Sequence, residues 1–226
     1  MNASIETDAP RVGSFRSIPA DGIWRTKYTP DAAQRYQHHT ERKNRAESRL
    51  VERAFEQVPP GSVLDVPCGG GRMSLLLARR GYAVTAADLS EPMQEITREN
   101  AKAANLPIEV TKGDVEQMEF SDRSFDTVFS FRLFHHFPNR DIRARVVGQL
   151  CRVARAHVLI SYFSPFAGTS LKRAIQGKWF GYNHKKFATS LTELKTYFEP
   201  HGFRLRQNFA RRPLLHTLHL AVFEKR

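Results

Sequence analysis

The stretch Ser62-Val63-Leu64-Asp65-Val66-Pro67-Cys68-Gly69-Gly70-Gly71-Arg72 decides the fold. Ser62 to Val66 is a short apolar run that ends at Pro67 and three glycines. Met73 to Arg80 then reads as a helix closing at Gly81. A strand feeding a glycine turn and a helix directs backbone N–H groups at a ligand. Glycine is needed where the chain passes close to that ligand or takes a positive φ. Asp88 ends the second strand, Ala83 to Ala87. An acidic residue about 20 residues beyond such a turn hydrogen-bonds ribose hydroxyls. Asp88 reads equally as a cap for the helix announced by Ser90-Glu91-Pro92, and Gly69 to Gly71 alone would suit any tight turn. Ser74 stands where the nicotinamide fingerprint requires a third glycine, which disfavours a nicotinamide oxidoreductase. Asp65 lies just before the glycines, an uncomfortable place beside a pyrophosphate. It suits a cationic amino-acid moiety, or a network that holds the turn.

Working outward, the alternation continues. Glu91 to Ala104 reads as a helix, Ile108 to Thr111 and Phe125 to Ser130 as strands, Asp141 to Val153 as a helix and His157 to Tyr162 as a fifth strand. Such alternation implies a parallel sheet covered by helices on both faces. Ser190 to His201 reads as a helix, followed by strands Phe203 to Phe209 and His216 to Phe223. The short turn at Arg211-Arg212-Pro213 can join those two strands only antiparallel. The expected fold is therefore an α/β Rossmann-like three-layer sandwich, with a mostly parallel seven-stranded sheet and an antiparallel last strand. Residues 1–22 read as a mobile arm and 23–226 as one domain. Within it, 23–60 form a helical cap, with apolar positions Ala46, Leu50, Val51, Ala54 and Phe55, and 164–188 form a substrate-side insertion.

Taken together, Leu64 to Arg72, Ala87-Asp88-Leu89-Ser90, Gly113-Asp114-Val115 and Ser124-Phe125-Asp126-Thr127-Val128 resemble the class I S-adenosylmethionine-dependent methyltransferases. The order and spacing over roughly residues 60–160 are similar to the small-molecule branch that includes the ubiquinone and menaquinone enzymes. The resemblance implies S-adenosylmethionine as cofactor. It implies contacts from Asp65, Pro67, Cys68, Gly69, Gly71 and Arg72 at the methionine and ribose, and from Asp88 and Leu89 at the ribose. Asp114 and Val115 would meet the adenine, and Phe131 and Arg132 the methionyl end. Asp114 also reads as a turn former, and Arg132 as a solvated charge. A weaker resemblance, in Pro67 to Arg72, the Tyr- and Arg-rich leading segment and the basic insertion, is to bacterial methyltransferases associated with lipopolysaccharide core assembly.

Methyl transfer asks mainly for in-line placement of the nucleophile. A hydroxyl acceptor also needs a base, and histidine suits neutral pH. His135, in Phe134-His135-His136-Phe137 at the carboxyl edge of the sheet, and His184 in the insertion are the candidates. The histidine pair reads also as a structural turn, and His184 as a phosphate ligand. No cluster has metal-ligand spacing. The place after the fourth strand reads Ser130-Phe131-Arg132-Leu133, not the Asn/Asp-Pro-Pro-aromatic box of adenine and glutamine amino methyltransferases.

The net charge is +12, and residues 140–226 hold 17 Lys/Arg against 4 Asp/Glu. Such a one-sided field attracts anionic partners, unless it serves solubility alone. The expected acceptor is a small-molecule, lipid-linked or glycan substrate, anionic, with peripheral contact to an acidic membrane. The alternatives are an RNA methyltransferase, though no RNA-binding module is recognisable, and a cofactor-binding pseudo-enzyme serving as a partner subunit. Two cysteines, no basic-plus-apolar leader in Met1 to Pro10 and no run of about 18 apolar residues point to a cytoplasmic setting, at most peripheral to the inner membrane.

Overall fold

Strand–helix alternation builds a single seven-stranded sheet in the order β3-β2-β1-β4-β5-β7-β6. The structure, a computed structural model, describes residues 41–166, 187–210 and 217–226. The strands are β1 Ser62–Asp65, β2 Ala83–Asp88, β3 Glu109–Lys112, β4 Phe125–Ser130, β5 Ala154–Phe163, β6 Phe203–Ala210 and β7 Leu218–Lys225. The helices are α1 Glu41–Phe55, α2 Arg72–Ala78, α3 Glu91–Ala103, α4 Arg140–Val153 and α5 Leu191–Phe198. Short 3₁₀ turns occupy Phe134–His136 and Glu199–His201. The expected arm, the start of the helical cap, the turn at Arg211-Arg212-Pro213 and most of the insertion, His184 included, lie outside the described residues.

β1 to β5 pair in parallel, as right-handed crossovers through α2, α3 and α4 require. β7 runs antiparallel between β5 and β6, so the antiparallel last strand sits inside the sheet and β6 becomes its edge. β5 also begins at Ala154, three residues before the sequence pattern places it. Alternate residues of the central strands face two cores, because successive strand side chains point to opposite faces. On one face Val128, Val158, Ile160 and Tyr162 meet α4 and α5. On the other, Val63, Phe129, Leu159 and Phe163 meet α1 and α2.

The second half of α1 is part of this core. Leu50, Val51, Ala54 and Phe55 are all buried, whereas Ala46 is only half-buried. Phe55 packs edge-on against Phe129 at 5.3 Å, and Phe129 stacks on Phe131 at 5.7 Å. Phe129 thus joins α1 to the strand that carries the carboxyl-edge residues. Removing its ring leaves a cavity that β4, fixed by ladders on both sides, cannot close. Phe129→Ala is expected to cost about 3–5 kcal/mol, read as a lower urea midpoint with an unchanged slope.

Candidate functional site

The carboxyl ends of β1, β2 and β4 surround an open cleft of about 1020 Å³. This is where open α/β sheets bind ligands. The candidate residues Asp65, Pro67, Cys68, Gly69, Arg72, Asp88, Leu89, Asp114, Val115, Phe131 and Arg132 all line it. Gly70, Met73, Ser90, Gly113, Leu133 and His136 join them.

Asp88 is buried at the end of β2, where its Oδ2 accepts the Gly69 N–H at 2.9 Å and its Oδ1 the Ser90 N–H at 2.9 Å. Ser90 is the N-cap of α3 and has no side-chain cap bond, so Asp88 ties the two loops together and does not cap the helix. Burial pushes its pKa up despite those N–H groups and that of Leu89. Asp65 ends β1 fully buried and accepts the Ser74 hydroxyl at 2.6 Å. This bond accounts for serine in place of a third glycine. Burial pushes the Asp65 carboxyl up to about 7; the Ser74 hydroxyl opposes this, the Asp88 charge adds to it, and Arg72 pulls it down. The Asp65 carboxyl is therefore poised to gain from a cationic ligand.

The glycine turn is left-handed at Gly69 (φ 56°) and Gly71 (φ 78°). Gly71 does not line the cleft; it starts α2, and a Cβ there would lie 2.7 Å from the Thr97 methyl. Cys68 is buried beside the turn, and burial pushes its thiol pKa well up, so it is a poor thiolate nucleophile. Gly113 allows the chain after β3 to approach β2, since a Cβ there would meet Ala87 at 2.8 Å. Asp114 accepts the Glu116 N–H at 3.0 Å, a turn former that also faces the cleft.

The two cleft arginines are organised by a residue that sequence reading missed. Glu47 on α1 is fully buried, with Arg72 Nη2 2.6 Å from Oε2 and Arg132 Nη1 2.8 Å from Oε1. Arg132 takes a left-handed backbone (φ 63°), and its N–H donates to Ser161 Oγ at 2.6 Å. It is therefore a fixed element of the wall. The only available signal for Glu47 was an acidic residue among the buried positions of an amphipathic helix.

The two neighbouring histidines part company. His135 is buried, stacked on Phe163 at 4.0 Å with ring planes 4° apart, and does not line the cleft. His136 does. The 3₁₀ turn rotates the pair so that the candidate base His135 enters the core and its neighbour faces the ligand space. Among the described residues, no group of three or more His, Cys, Asp or Glu side chains is arranged to hold a metal ion.

Residues 63–157 match the family model of the methyltransferase domain. The glycine/sarcosine/dimethylglycine N-methyltransferase of Actinopolyspora halophila is 34% identical over 134 residues, 57% of this chain and 23% of that protein. The malonyl-[acyl-carrier protein] O-methyltransferase of Erwinia pyrifoliae is 41% identical over 103 residues, 44% of this chain and 36% of that protein. The chain thus spans well under half the length of these two relatives. Its fold is similar to that of the magnesium protoporphyrin IX methyltransferase of Synechocystis PCC 6803, solved with bound S-adenosylhomocysteine. The TM-score is 0.75 at 16% identity, over 92% of this chain and 98% of that one.

The double ion pair at Glu47 makes a stability prediction. Glu47→Gln leaves two guanidiniums against a neutral amide in a buried place. The expected loss is ~3 kcal/mol in urea unfolding, the low end for a broken buried pair because Arg72 remains 33% exposed.

Proposed function

We propose that this chain is a class I S-adenosylmethionine-dependent methyltransferase acting on a small, anionic acceptor, a reading supported by the methyltransferase-domain match over residues 63–157. The observation that carries the reading is the cleft itself, lined by buried Asp65 and Asp88 and by Arg72 and Arg132. The donor set fits S-adenosylmethionine. A buried carboxylate held by backbone N–H groups suits ribose hydroxyls. The second acid suits the cationic sulfonium and ammonium, and the arginines suit a carboxylate.

The bound cofactor supplies an activated methyl group on its sulfonium. The chain's own contribution is orientation and exclusion of water. Phe131 and Leu133 give the cleft apolar lining alongside its charged groups and His136. His136 faces the cleft, which supports it as the group that takes the acceptor's proton when the nucleophile is a hydroxyl. The anionic character of the acceptor is supported by the basic excess of residues 140–226. The names of the two relatives point the same way, since glycine, sarcosine and the malonyl group all carry a carboxylate. A lipid-linked or glycan acceptor bearing phosphates, as in lipopolysaccharide, belongs to the same class. No helix among the described residues is long and apolar enough to cross a membrane.

Binding is the first test. Calorimetry is expected to show S-adenosylmethionine and S-adenosylhomocysteine binding, weakened roughly tenfold or more by Asp88→Ala, because two charge-assisted hydrogen bonds are lost. Unchanged affinity would remove Asp88 from the site. Labelled cofactor is then offered with carboxylate, phosphoglycolipid, quinone and RNA pools. Transfer to neutral quinone or RNA alone would overturn the proposed acceptor class.

A pH dependence follows from Asp65. Its folded-state pKa is raised, so its contribution to stability is present below the ordinary value of 3.8 and lost as the pH climbs through about 7. A cation beside it favours the carboxylate. Affinity for S-adenosylmethionine is therefore expected to rise through this range, by up to about tenfold per pH unit below the pKa, with release of a proton on binding. Calorimetry in buffers of different ionisation enthalpy reads that proton. Asp65→Asn is expected to flatten the profile; an identical profile would assign the proton elsewhere, Asp88 being the other buried carboxylate of the cleft.

A further inference from the structure

Gly69 is held on both sides of its Cα, through the peptide before it and the peptide after it. Its N–H donates to Asp88 Oδ2 at 2.9 Å, and its carbonyl accepts the Thr97 hydroxyl at 2.7 Å. One residue on, the Gly70 carbonyl accepts from Asn100 Nδ2 at 3.0 Å. Thr97 and Asn100 are three residues apart on α3, hence on one face of that helix. The two carbonyls are thereby turned towards α3. Thr97 is fully buried, and its methyl lies where a side chain at Gly71 would have to go. Its hydroxyl also lies 3.7 Å from the Cys68 thiol. One threonine therefore sets the orientation of the Gly69 peptide and the space around Gly71, and neither contact belongs to the glycine motif.

We propose that Thr97 is a positioning residue for the ribose of the cofactor, acting through the Gly69 peptide on the Asp88 carboxylate, with Asn100 as the second tie on the turn. The inference rests on the functional reading above. Gly69 is left-handed, and the Thr97 and Asn100 bonds fix the carbonyls of the two peptides that follow its Cα. Losing the Thr97 hydroxyl would let that Cα shift, and with it the N–H of the preceding peptide, which aims Asp88 Oδ2. The carboxylate would then lose the orientation in which its remaining lone pairs meet two vicinal hydroxyls. The effect belongs to the nucleoside half of the ligand and is indifferent to the methionyl half.

The experiment compares wild type, Thr97→Val and Thr97→Ser by calorimetry with two probes, S-adenosylhomocysteine and adenosine, alongside thermal unfolding. Val keeps the shape and the methyl packed at Gly71 but removes the hydroxyl. Ser keeps the hydroxyl and removes the methyl. The expected result is about tenfold weaker binding of both probes to Thr97→Val, by the same factor, and near wild-type affinity for Thr97→Ser even though Ser loses more thermal stability. A merely structural role would make affinity follow the melting temperature in both variants. The inference is overturned if Val binds as wild type does, if Ser loses as much affinity as Val, or if Val weakens S-adenosylhomocysteine but not adenosine. If Thr97→Val fails to fold, Asn100→Ala replaces it; equal weakening of both probes supports the clamp, and unchanged binding overturns it. Wild-type protein that binds neither probe overturns the functional reading and this inference with it.

Discussion

Two backbone N–H groups, from Gly69 and Ser90, converge on the Asp88 carboxylate at 2.9 Å each, and the whole cleft hangs on that convergence. Gly69 belongs to the loop after β1 and Ser90 to the loop after β2. The two loops are thus tied to each other at the edge of the sheet, through a side chain already buried before any ligand arrives. Burial makes the charge costly, and the N–H groups offset part of that cost. A ligand that offers hydroxyls to the same oxygens completes the solvation that folding removed. Stability and binding are then two uses of one carboxylate.

A second constraint is the arrangement of charge in the cleft. Asp65 and Asp88 line it together with Arg72 and Arg132, and Glu47 draws the arginines onto α1. Because Glu47 is buried, it places the guanidiniums more firmly than a surface acid would. The family match begins at residue 63, yet this wall depends on a side chain from residue 47. The N-terminal helix is a wall of the site, and Leu50, Val51, Ala54 and Phe55 fix it to the core.

Much of the fold was legible because periodicity changes from two to 3.6 at each strand–helix junction, and glycine or proline marks most junctions. β1, β2, β4 and the helices between them follow that signal within a residue or two. The position of β7 inside the sheet was not legible, since a hairpin pattern says that β6 and β7 pair but not which of them meets β5. The candidate residues of the glycine turn and of the ends of β2 and β4 gather round one cleft because strand ends are fixed by the sheet. Glu47 escaped because glutamate on a helix ordinarily means solvent. Thr97 and Asn100 escaped because their targets are carbonyls, which leave no mark in the sequence. His135 and His136 could not be told apart, because the direction of consecutive side chains in a 3₁₀ turn depends on the packing of Phe134 and Phe163 around them.

The placement of β7 also governs how the chain acquires this structure. His157 pairs with Glu224 and Phe163 with Leu218, so one flank of β5 stays bare until β7 has been synthesised. β6, although made earlier, finds its ladder only on β7. The half of the sheet that carries Asp65, Asp88 and the glycine turn has no such dependence, because its parallel pairs close over nearby crossovers. Assembly on the ribosome therefore divides in two, with an early nucleotide-binding half and a late half that waits with an exposed apolar strand. That interval is when Leu159, Ile160 and their neighbours are open to mispairing with another chain, and when a chaperone would have most to protect.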